Sequence, residues 1–174
     1  MNPSLRLRSR REVLLAGLGA ALLPGVAPRR ALAVPTLESA LPGSEFVYIS
    51  PLRSDGRESV CHGEVWYGSL DGSVVIITST GSWKARALER GLDRARVWVG
   101  NHGRWKGLIF RNEAFRVAPH FEARATRVRD AALLERLLAL FETKYPDEIA
   151  DWRDRMRGGY ADGSRILIRY ALPA

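Results

Sequence analysis

Short hydrophobic segments alternate with glycine-containing turns in the first half of the chain. Phe46-Val47-Tyr48-Ile49 is followed by an Asp55-Gly56 turn, and an Asp71-Gly72 turn precedes Val74-Val75-Ile76-Ile77-Thr78. An Asp-Gly pair between hydrophobic segments is a strong indication of a β-hairpin. We therefore predict three antiparallel strands in meander order, the second from about residue 58 to 67. The third strand is apolar on both faces, which predicts a central position in the sheet.

A short helix is predicted directly after the third strand. Ser82 is a good N-cap residue, and Gly91 follows the segment from Trp83 to Arg90, as glycine commonly does at the end of a helix. The next apolar segment, Arg96-Val97-Trp98-Val99, predicts a fourth strand, and Asn101 to Arg104 a turn.

The remaining third of the chain combines strands with amphipathic segments. Between Trp105 and Val128 we expect one or two strands, most clearly from Phe121, where apolar and polar residues alternate. From Asp130 to Tyr145 apolar residues recur at spacings of three and four, which predicts an amphipathic helix capped by Asp130. The elements expected after it are a charged helix from Asp147 to Met156, a break at Gly158-Gly159 and a strand from Arg165 to Tyr170.

Residues 1–33 have the pattern of an export signal. Arg10-Arg11 stands directly before an apolar run from Val13 to Leu23, and Ala31-Leu32-Ala33 is a small-residue cleavage site. The paired arginines resemble the twin-arginine (Tat) signal, which directs folded proteins to export.

The apolar run is about half of the roughly 20 residues that a spanning helix needs, so an uncleaved anchor is the competing interpretation. We predict cleavage, transport by the Tat machinery, a linker over residues 34–45 and a domain over residues 46–174. This domain would be periplasmic or extracellular, with no stable membrane span.

Most of the basic excess lies in the predicted export signal. The formal net charge is +8, but six of the 27 basic residues precede residue 34, together with one of the 19 acidic residues. The rest of the chain therefore carries 21 basic and 18 acidic groups. A nucleic-acid-binding domain usually shows a strong basic excess, so nucleic acid is excluded as a partner. Because Cys61 is the only cysteine, a disulfide-stabilised secreted module is excluded as well.

The end of the third strand and the start of the following helix supply the candidate chemistry. Thr78-Ser79-Thr80-Gly81-Ser82 carries four hydroxyl groups, and Lys84 and Arg86 follow in the first helical turn. The free N–H groups and the positive dipole end of a helix attract anions, and guanidinium groups bind phosphate strongly. We therefore predict a phosphate site here. The competing interpretation is a capped helix with solvated basic residues.

The order of these motifs resembles the split β-barrel superfamily, which includes pyridoxamine 5'-phosphate oxidase-like proteins and deazaflavin-dependent reductases. The motifs are Asp55-Gly56-Arg57, Val65-Trp66-Tyr67, Asp71-Gly72, Val75 to Thr78, Gly81 to Leu88 and Arg96 to Val99. The resemblance covers about residues 44–128. It implies a mainly β (α+β) fold, a six-stranded antiparallel split β-barrel with a short helix after the third strand and a C-terminal amphipathic helix. Short antiparallel strands with few helices to cover them independently favour closure of the sheet. The amphipathic helix would plug one end of the barrel or lie at the subunit contact.

The resemblance also implies a homodimer with FMN or the deazaflavin coenzyme at the subunit interface. The residues implied for the cofactor phosphate are Thr78, Ser79, Thr80, Ser82, Lys84 and Arg86. The ring would run along Val65, Trp66 and Tyr67, and Trp83 would cover the ring or simply pack. Since such a cofactor carries the hydride chemistry itself, the implied activity is that of an oxidoreductase acting on an unknown small-molecule substrate.

Several residues keep alternatives open. Some split-barrel proteins bind haem, and although His62, His102 and His120 do not form a metal-binding pattern, His102 in its turn is the histidine to test. The second hypothesis is therefore a non-catalytic protein that holds flavin or haem on the same barrel, and the third is an interaction module without a ligand. Cys61 is expected to be a small buried strand residue. Trp66, Trp83 and Trp105 are expected near the planar ring.

Overall fold

A computed structural model describes residues 36–103, 105–106, 110–111 and 113–173. The helices in these residues are α1 (Leu37–Gly43), α2 (Trp83–Glu89), α3 (Ala131–Lys144), α4 (Pro146–Ala161) and a short 3-10 helix (Ala114–Val117). The strands are β1 (Phe46–Pro51), β2 (Gly63–Trp66), β3 (Gly68–Leu70), β4 (Ser73–Ser79), β5 (Arg94–Val99), β6 (Trp105–Lys106), β7 (Phe110–Arg111), β8 (His120–Val128) and β9 (Arg165–Ala171). The predicted export signal lies outside the described residues.

Seven strands form one antiparallel sheet in the order β2-β1-β5-β8-β9-β4-β3. The two edge strands are almost consecutive in the chain, because only Tyr67 separates β2 from β3. β2 pairs with β1 at one edge, and β3 pairs with β4 at the other. One bent segment, residues 63–70, therefore joins both edges and nearly closes the sheet into a barrel. The predicted antiparallel split barrel is confirmed, and its strand count is seven rather than six because the bend divides this segment into two strands.

Buried polar contacts hold the bend at Tyr67. The Tyr67 N–H donates to the phenolic oxygen of Tyr145 at 3.2 Å, and the Tyr145 O–H donates to the carbonyl of Glu45 at 2.5 Å. A Cβ atom at Gly68 would lie 2.6 Å from Leu137 Cδ1, so glycine allows α3 to approach the bend closely. Since a buried polar group without a partner is costly, these contacts stabilise the bend between β2 and β3.

Hydrophobic residues fill the barrel and also cover part of its outer face. Alternate strand residues such as Val47, Ile76, Val97 and Ile168 form the interior. α3 and α4 pack on the outside of β4 and β9, where the buried leucines of α3 meet Val75 and Leu167. The predicted amphipathic helix is confirmed. Of its two expected positions, the plug at one end of the barrel is wrong, because α3 covers the outer face of the sheet, and the subunit contact stays a prediction.

The predicted turns and caps agree with the structure. Asp71 and Gly72 have φ angles of 51° and 65°, the left-handed pair that a tight hairpin turn requires. The side chain of Ser82 accepts the N–H of Ala85, and that of Asp130 accepts the N–H of Leu133, so both helices begin where predicted. The return strand expected from residue 58 pairs regularly with β1 only from residue 63.

The expected break at Gly158-Gly159 is wrong, because α4 continues through both glycines to Ala161. Gly159 is buried, and a Cβ atom there would lie 2.8 Å from Arg165 Cδ. Glycine therefore serves close packing between the helix and the Arg165 side chain. The helix supplies its own hydrogen bonds across the pair, since the N–H of Asp162 donates to the carbonyl of Gly158.

Part of the segment expected as a linker is helical. Thr36 caps α1, whose Leu41 is buried against the barrel core. The Tyr67 O–H donates to the carbonyl of Leu41 at 2.5 Å, which ties the end of this helix to the bend. Among the described residues, none of the helices combines the length and hydrophobicity that crossing a membrane requires.

Candidate cofactor-binding groove

A groove opens beside the bend, between residues of β2 and of β4. β3 pairs with residues 73–75 of β4, whereas residues 76–79 pair with β9 alone in the described part of the chain. The groove has a volume of about 330 Å³, within the range of roughly 300–1,000 Å³ typical of small-ligand sites. Its lining residues are Phe46, Glu64, Val65, Trp66, Ile77, Phe141, Trp152, Met156 and Arg165.

Aromatic side chains form the walls of this groove. The Trp66 ring stacks on Tyr145, with ring centroids 4.4 Å apart and an interplanar angle of 8°, and Phe141 meets it edge-on at 5.9 Å. These contacts orient the indole. Trp152 of α4 is 39% exposed, an unusual exposure for so large an apolar side chain. A planar ligand ring could therefore pack against an indole that its aromatic neighbours already hold in place.

Arg165 supplies a positive charge to the groove. Its aliphatic stem packs beside Gly159, and its guanidinium carbon lies 5.7 Å from the centroid of the Trp152 ring. The side chain is half-buried on the outer face of β9. A guanidinium group in such a place can bind a phosphate or carboxylate through two parallel hydrogen bonds.

Glu64 supplies a negative charge to the same groove. Its Oε2 accepts a hydrogen bond of 2.7 Å from the O–H of Tyr48, whose own oxygen accepts the N–H of His102 at 3.0 Å. Burial, together with the nearby carboxylate, raises the pKa of Tyr48. The phenol therefore stays protonated and keeps the carboxylate oriented.

The structure places the predicted hydroxyl residues next to Arg165. Ser79 is opposite Arg165 in the β4–β9 register. The N–H and Oγ1–H of Thr80 donate to the carbonyl of Ser164 at 2.9 and 3.1 Å. Thr78 is buried on the interior face of β4, whereas Ser79 is exposed on the outer face. Because successive strand residues point to opposite faces of the sheet, Thr78 is separated from Ser79.

Lys84 and Arg86 are not brought together. Lys84 is 7% exposed, with its Nζ 4.4 Å from the centroid of the Trp83 ring, whereas Arg86 is exposed. Residues two apart in a helix do not share a face, which explains the difference. The Trp83 ring itself lies 3.4 Å from the position of a Cβ at Gly63, so it packs beside the start of β2.

The three residues predicted to lie along the cofactor ring differ in their positions relative to the groove. Val65 and Trp66 line the groove. Tyr67 is fully buried in the barrel, and its O–H donates to backbone carbonyls. Trp105 was expected nearby, but its side chain lies outside the described part of the structure.

Other groove residues were not predicted from the sequence. Phe46 and Ile77 belonged to strands that were predicted, whereas Trp152, Met156 and Arg165 join the groove only through the packing of α4 on β9. A sequence pattern could have found part of this set, because Ile149, Trp152, Met156 and Gly159 recur at spacings of three and four. That periodicity indicates a helix that continues through Gly159.

The histidines and the cysteine lie elsewhere. Nε2 of His62 is 3.0 Å from Glu113 Oε1, and no group of three metal-binding side chains occurs among the described residues. Cys61 lies in the irregular segment before β2 and is partly exposed, so the expectation of a buried strand residue is wrong.

No protein-family model and no curated protein sequence matches this chain. Solved structures do match it. The haem storage protein HutZ from Vibrio cholerae is 14% identical, with a TM-score of 0.53 over 79% of this chain and 87% of that chain. The conserved hypothetical protein Rv2991 from Mycobacterium tuberculosis is 20% identical, with a TM-score of 0.55 over 85% of this chain and 87% of that chain. At these identities the similarity shows the fold alone: this chain shares the split-barrel fold of these proteins.

Proposed function

We propose that this protein is a split-barrel flavoprotein that binds FMN or a deazaflavin coenzyme in the groove and acts as an oxidoreductase on a small-molecule substrate. The observation that carries the proposal is the groove itself, in which aromatic walls and one guanidinium group lie side by side. A flavin or deazaflavin combines a planar ring with a phosphate, and these two parts match stacking on Trp66 and pairing with Arg165.

The phosphate would be held at the edge of the groove by Arg165 with the hydroxyl of Ser79. Ser79 lies opposite Arg165 in the sheet, and Ser79 is exposed. The buried Lys84 would contribute positive potential from the start of α2. This assignment keeps the predicted strand end and adds Arg165 to it.

When bound, the cofactor supplies hydride transfer. The chain then has to orient its ring, exclude water and accept a proton from the substrate. The contacts of Trp66 with Tyr145 and Phe141 serve orientation. We assign the proton-accepting role to the carboxylate of Glu64, which lines the groove and is oriented by Tyr48.

A direct test begins with the visible absorption spectrum of the full chain purified from its native host. We expect a flavin or deazaflavin band. Titration of the cofactor-free protein with FMN should then show tryptophan quenching. Removing one charge-assisted hydrogen bond costs about 1.5–3 kcal/mol, which is roughly tenfold or more in Kd. Arg165→Met should show such a loss, and Lys84→Met, which removes a buried charge rather than a hydrogen bond to the phosphate, should show a smaller one.

Arg90→Met is the matched control, because Arg90 is an exposed arginine at the end of α2 and does not line the groove. It should bind FMN like the wild type. If neither flavin nor deazaflavin is found and neither binds on titration, the proposed activity is wrong.

The second candidate is a non-catalytic haem-binding barrel. The observation that favours it is a separate, mainly apolar cavity of about 460 Å³ that His102 lines together with Val99, Ala118 and Pro119. Imidazole is a common axial ligand of haem iron. A Soret band that disappears in His102→Ala would support this candidate over the first.

We also propose that the protein is exported by the Tat pathway and works as a homodimer. The paired arginines of residues 10 and 11 support export, and replacing both by lysine should abolish export of the chain.

The homodimer is supported by two exposed apolar side chains. Val60 and Val117 are 75% and 84% exposed, and a second copy of the chain would cover them. Light scattering should give twice the mass of one chain, and a monomer would contradict the proposed assembly.

A further inference from the structure

A separate cavity of about 460 Å³ lies where the end of α1 meets β3 and the end of α3. We call it the lysine cavity. It is mainly apolar, and its lining residues are Leu41, Pro42, Ser69, Leu140, Thr143 and Lys144. It shares none of these residues with the groove or with the cavity beside His102. The proposed function therefore leaves the lysine cavity unused.

Lys144, the last residue of α3, places its amine against a fixed wall of this cavity. Its Nζ lies 3.3 Å from the centroid of the Tyr67 ring and 3.4 Å from the Tyr67 carbonyl oxygen. The Tyr67 side chain is fully buried, so both contacts are with a rigid part of the bend. The amine therefore has a defined position, although the Lys144 side chain as a whole is half-buried.

The surroundings of Lys144 favour an amine that loses its proton near neutral pH. Burial lowers the pKa of Lys144 to about 8, and the carboxylate of Glu45 opposes this shift without cancelling it. The phenols of Tyr67 and Tyr145, whose rings face the amine, stay protonated, because burial raises the pKa of both. Roughly a quarter of the Lys144 amines are therefore neutral at pH 7.5, against about one in a thousand for an ordinary lysine.

The contacts of Nζ also orient the neutral amine. A neutral amine has two N–H groups and one lone pair, and both the carbonyl oxygen and the ring face of Tyr67 accept N–H donors. When these two acceptors engage the N–H groups, the lone pair is directed away from Tyr67, toward the cavity. A lysine with a lowered pKa is a nucleophile toward carbonyl carbon, and an arginine could not replace it, because a guanidinium group keeps its proton.

The lining of the lysine cavity favours an uncharged ligand. An anion would meet the carboxylate of Glu45, whose charge reaches Lys144, and a cation would be repelled by the protonated form of Lys144. The apolar walls would remove a hydrocarbon group from water. Ser69 and Thr143 supply hydroxyl groups that can donate to a carbonyl oxygen.

We infer that Lys144 is a covalent binding site for an uncharged aldehyde with a short apolar group, which it captures reversibly as an imine. The amine nitrogen attacks the carbonyl carbon and forms a C–N bond. The carbonyl oxygen then leaves as water with the two hydrogens of the amine, so the step needs neither an oxidant nor a reductant. This inference goes beyond the proposed function and does not rest on it.

The test is reductive labelling of the full chain with butanal and cyanoborohydride at pH 7.5, in which the reductant converts each imine to a stable secondary amine. The chain has three lysines, Lys84, Lys106 and Lys144, so mass spectrometry of its peptides resolves every labelled side chain. The N-terminal α-amine, with an ordinary pKa of about 7.7–8.0, is the internal reference for an amine of similar basicity. Lys144→Arg keeps the charge and removes the reactive amine, and Lys106→Arg makes the same exchange in β6 as the matched control.

We expect Lys144 to be labelled at least tenfold faster than Lys84 and Lys106, at a rate that saturates with butanal while the rate at the α-amine stays proportional to concentration. Lys144→Arg should lose the saturable labelling, and Lys106→Arg should keep it. Glyoxylate, an anionic aldehyde, should label Lys144 at least tenfold more slowly than butanal does, relative to the α-amine.

Labelling of Lys144 that is no faster than at the other lysines, or that does not saturate, would show an ordinary amine and overturn the inference. Equal labelling of Lys144 by glyoxylate would overturn the assignment of an uncharged ligand. The wild-type chain alone gives these results, so they do not depend on the folding of a variant. Because no flavin takes part in the labelling, either result leaves the proposed function to its own test.

Discussion

Gly158 and Gly159 are neighbours in α4, and replacing each by alanine should change stability by different amounts. Alanine is favoured over glycine in a helix interior by about 0.8–1.0 kcal/mol. At Gly158, which is exposed, a Cβ would meet nothing within 4 Å, so stability should rise by up to this amount. At Gly159 a Cβ would lie 2.8 and 2.9 Å from Cδ and Cγ of Arg165 and 3.0 Å from Ser164 Oγ.

Overpacking of this kind costs about 1–3 kcal/mol. Gly159→Ala should therefore range from no net change to a loss of about 2 kcal/mol, and the two variants should differ by about 1–3 kcal/mol. Urea unfolding followed by far-UV circular dichroism measures the free energy of unfolding of both. Because the added methyl group displaces Arg165, Gly159→Ala should also weaken FMN binding while Gly158→Ala does not. Equal stability of the two variants would refute the packing of Arg165 against α4.

Three further substitutions test other parts of the fold. Tyr145→Phe removes the hydroxyl that accepts the N–H of Tyr67, and we expect a loss of about 1–3 kcal/mol in urea unfolding, since a buried donor is left unpaired. Burial lowers the pKa of Lys144 from 10.5 to about 8, so the unfolded chain binds this proton more tightly. The free energy of unfolding should rise from about pH 8 toward 10.5 in the wild type relative to Lys144→Met, and a pH-independent difference would contradict this. Ser82→Ala removes the N-cap of α2 and should cost about 1 kcal/mol, whereas Ser82→Gly should cost only a few tenths.

Much of the fold was predictable because its determinants are local. The left-handed turn at Asp71-Gly72 and the caps at Ser82 and Asp130 each depend on a few consecutive residues. The apolar spacing of residues 130–145 likewise predicted α3. The glycine pair in α4 misled the prediction, because glycine there reflects contact with Arg165, a residue of another element.

The candidate site was predicted only in part. The position of the strand end near Ser79 and the groove-lining strand at Val65 and Trp66 followed from the motif order. Arg165 and Trp152 could not be assigned to the groove, because they are about 75 to 100 residues away in the chain from the groove residues of β2 and β4. Their side chains reach the groove through β9 pairing with β4 and α4 packing on that sheet.

The amino-acid order alone determined most of the strands and helices, where hairpins turn and that the strands would be antiparallel, since hydrophobic periodicity, turn residues and caps act over a few positions. Tertiary structure alone decided that the segment 63–70 divides at Tyr67 between the two edges of the sheet, that Lys84 is buried while Arg86 is exposed, and that Arg165 reaches the groove. The physical reason is that closing a sheet brings together edges and side chains from distant parts of the chain, and their contacts depend on packing in three dimensions.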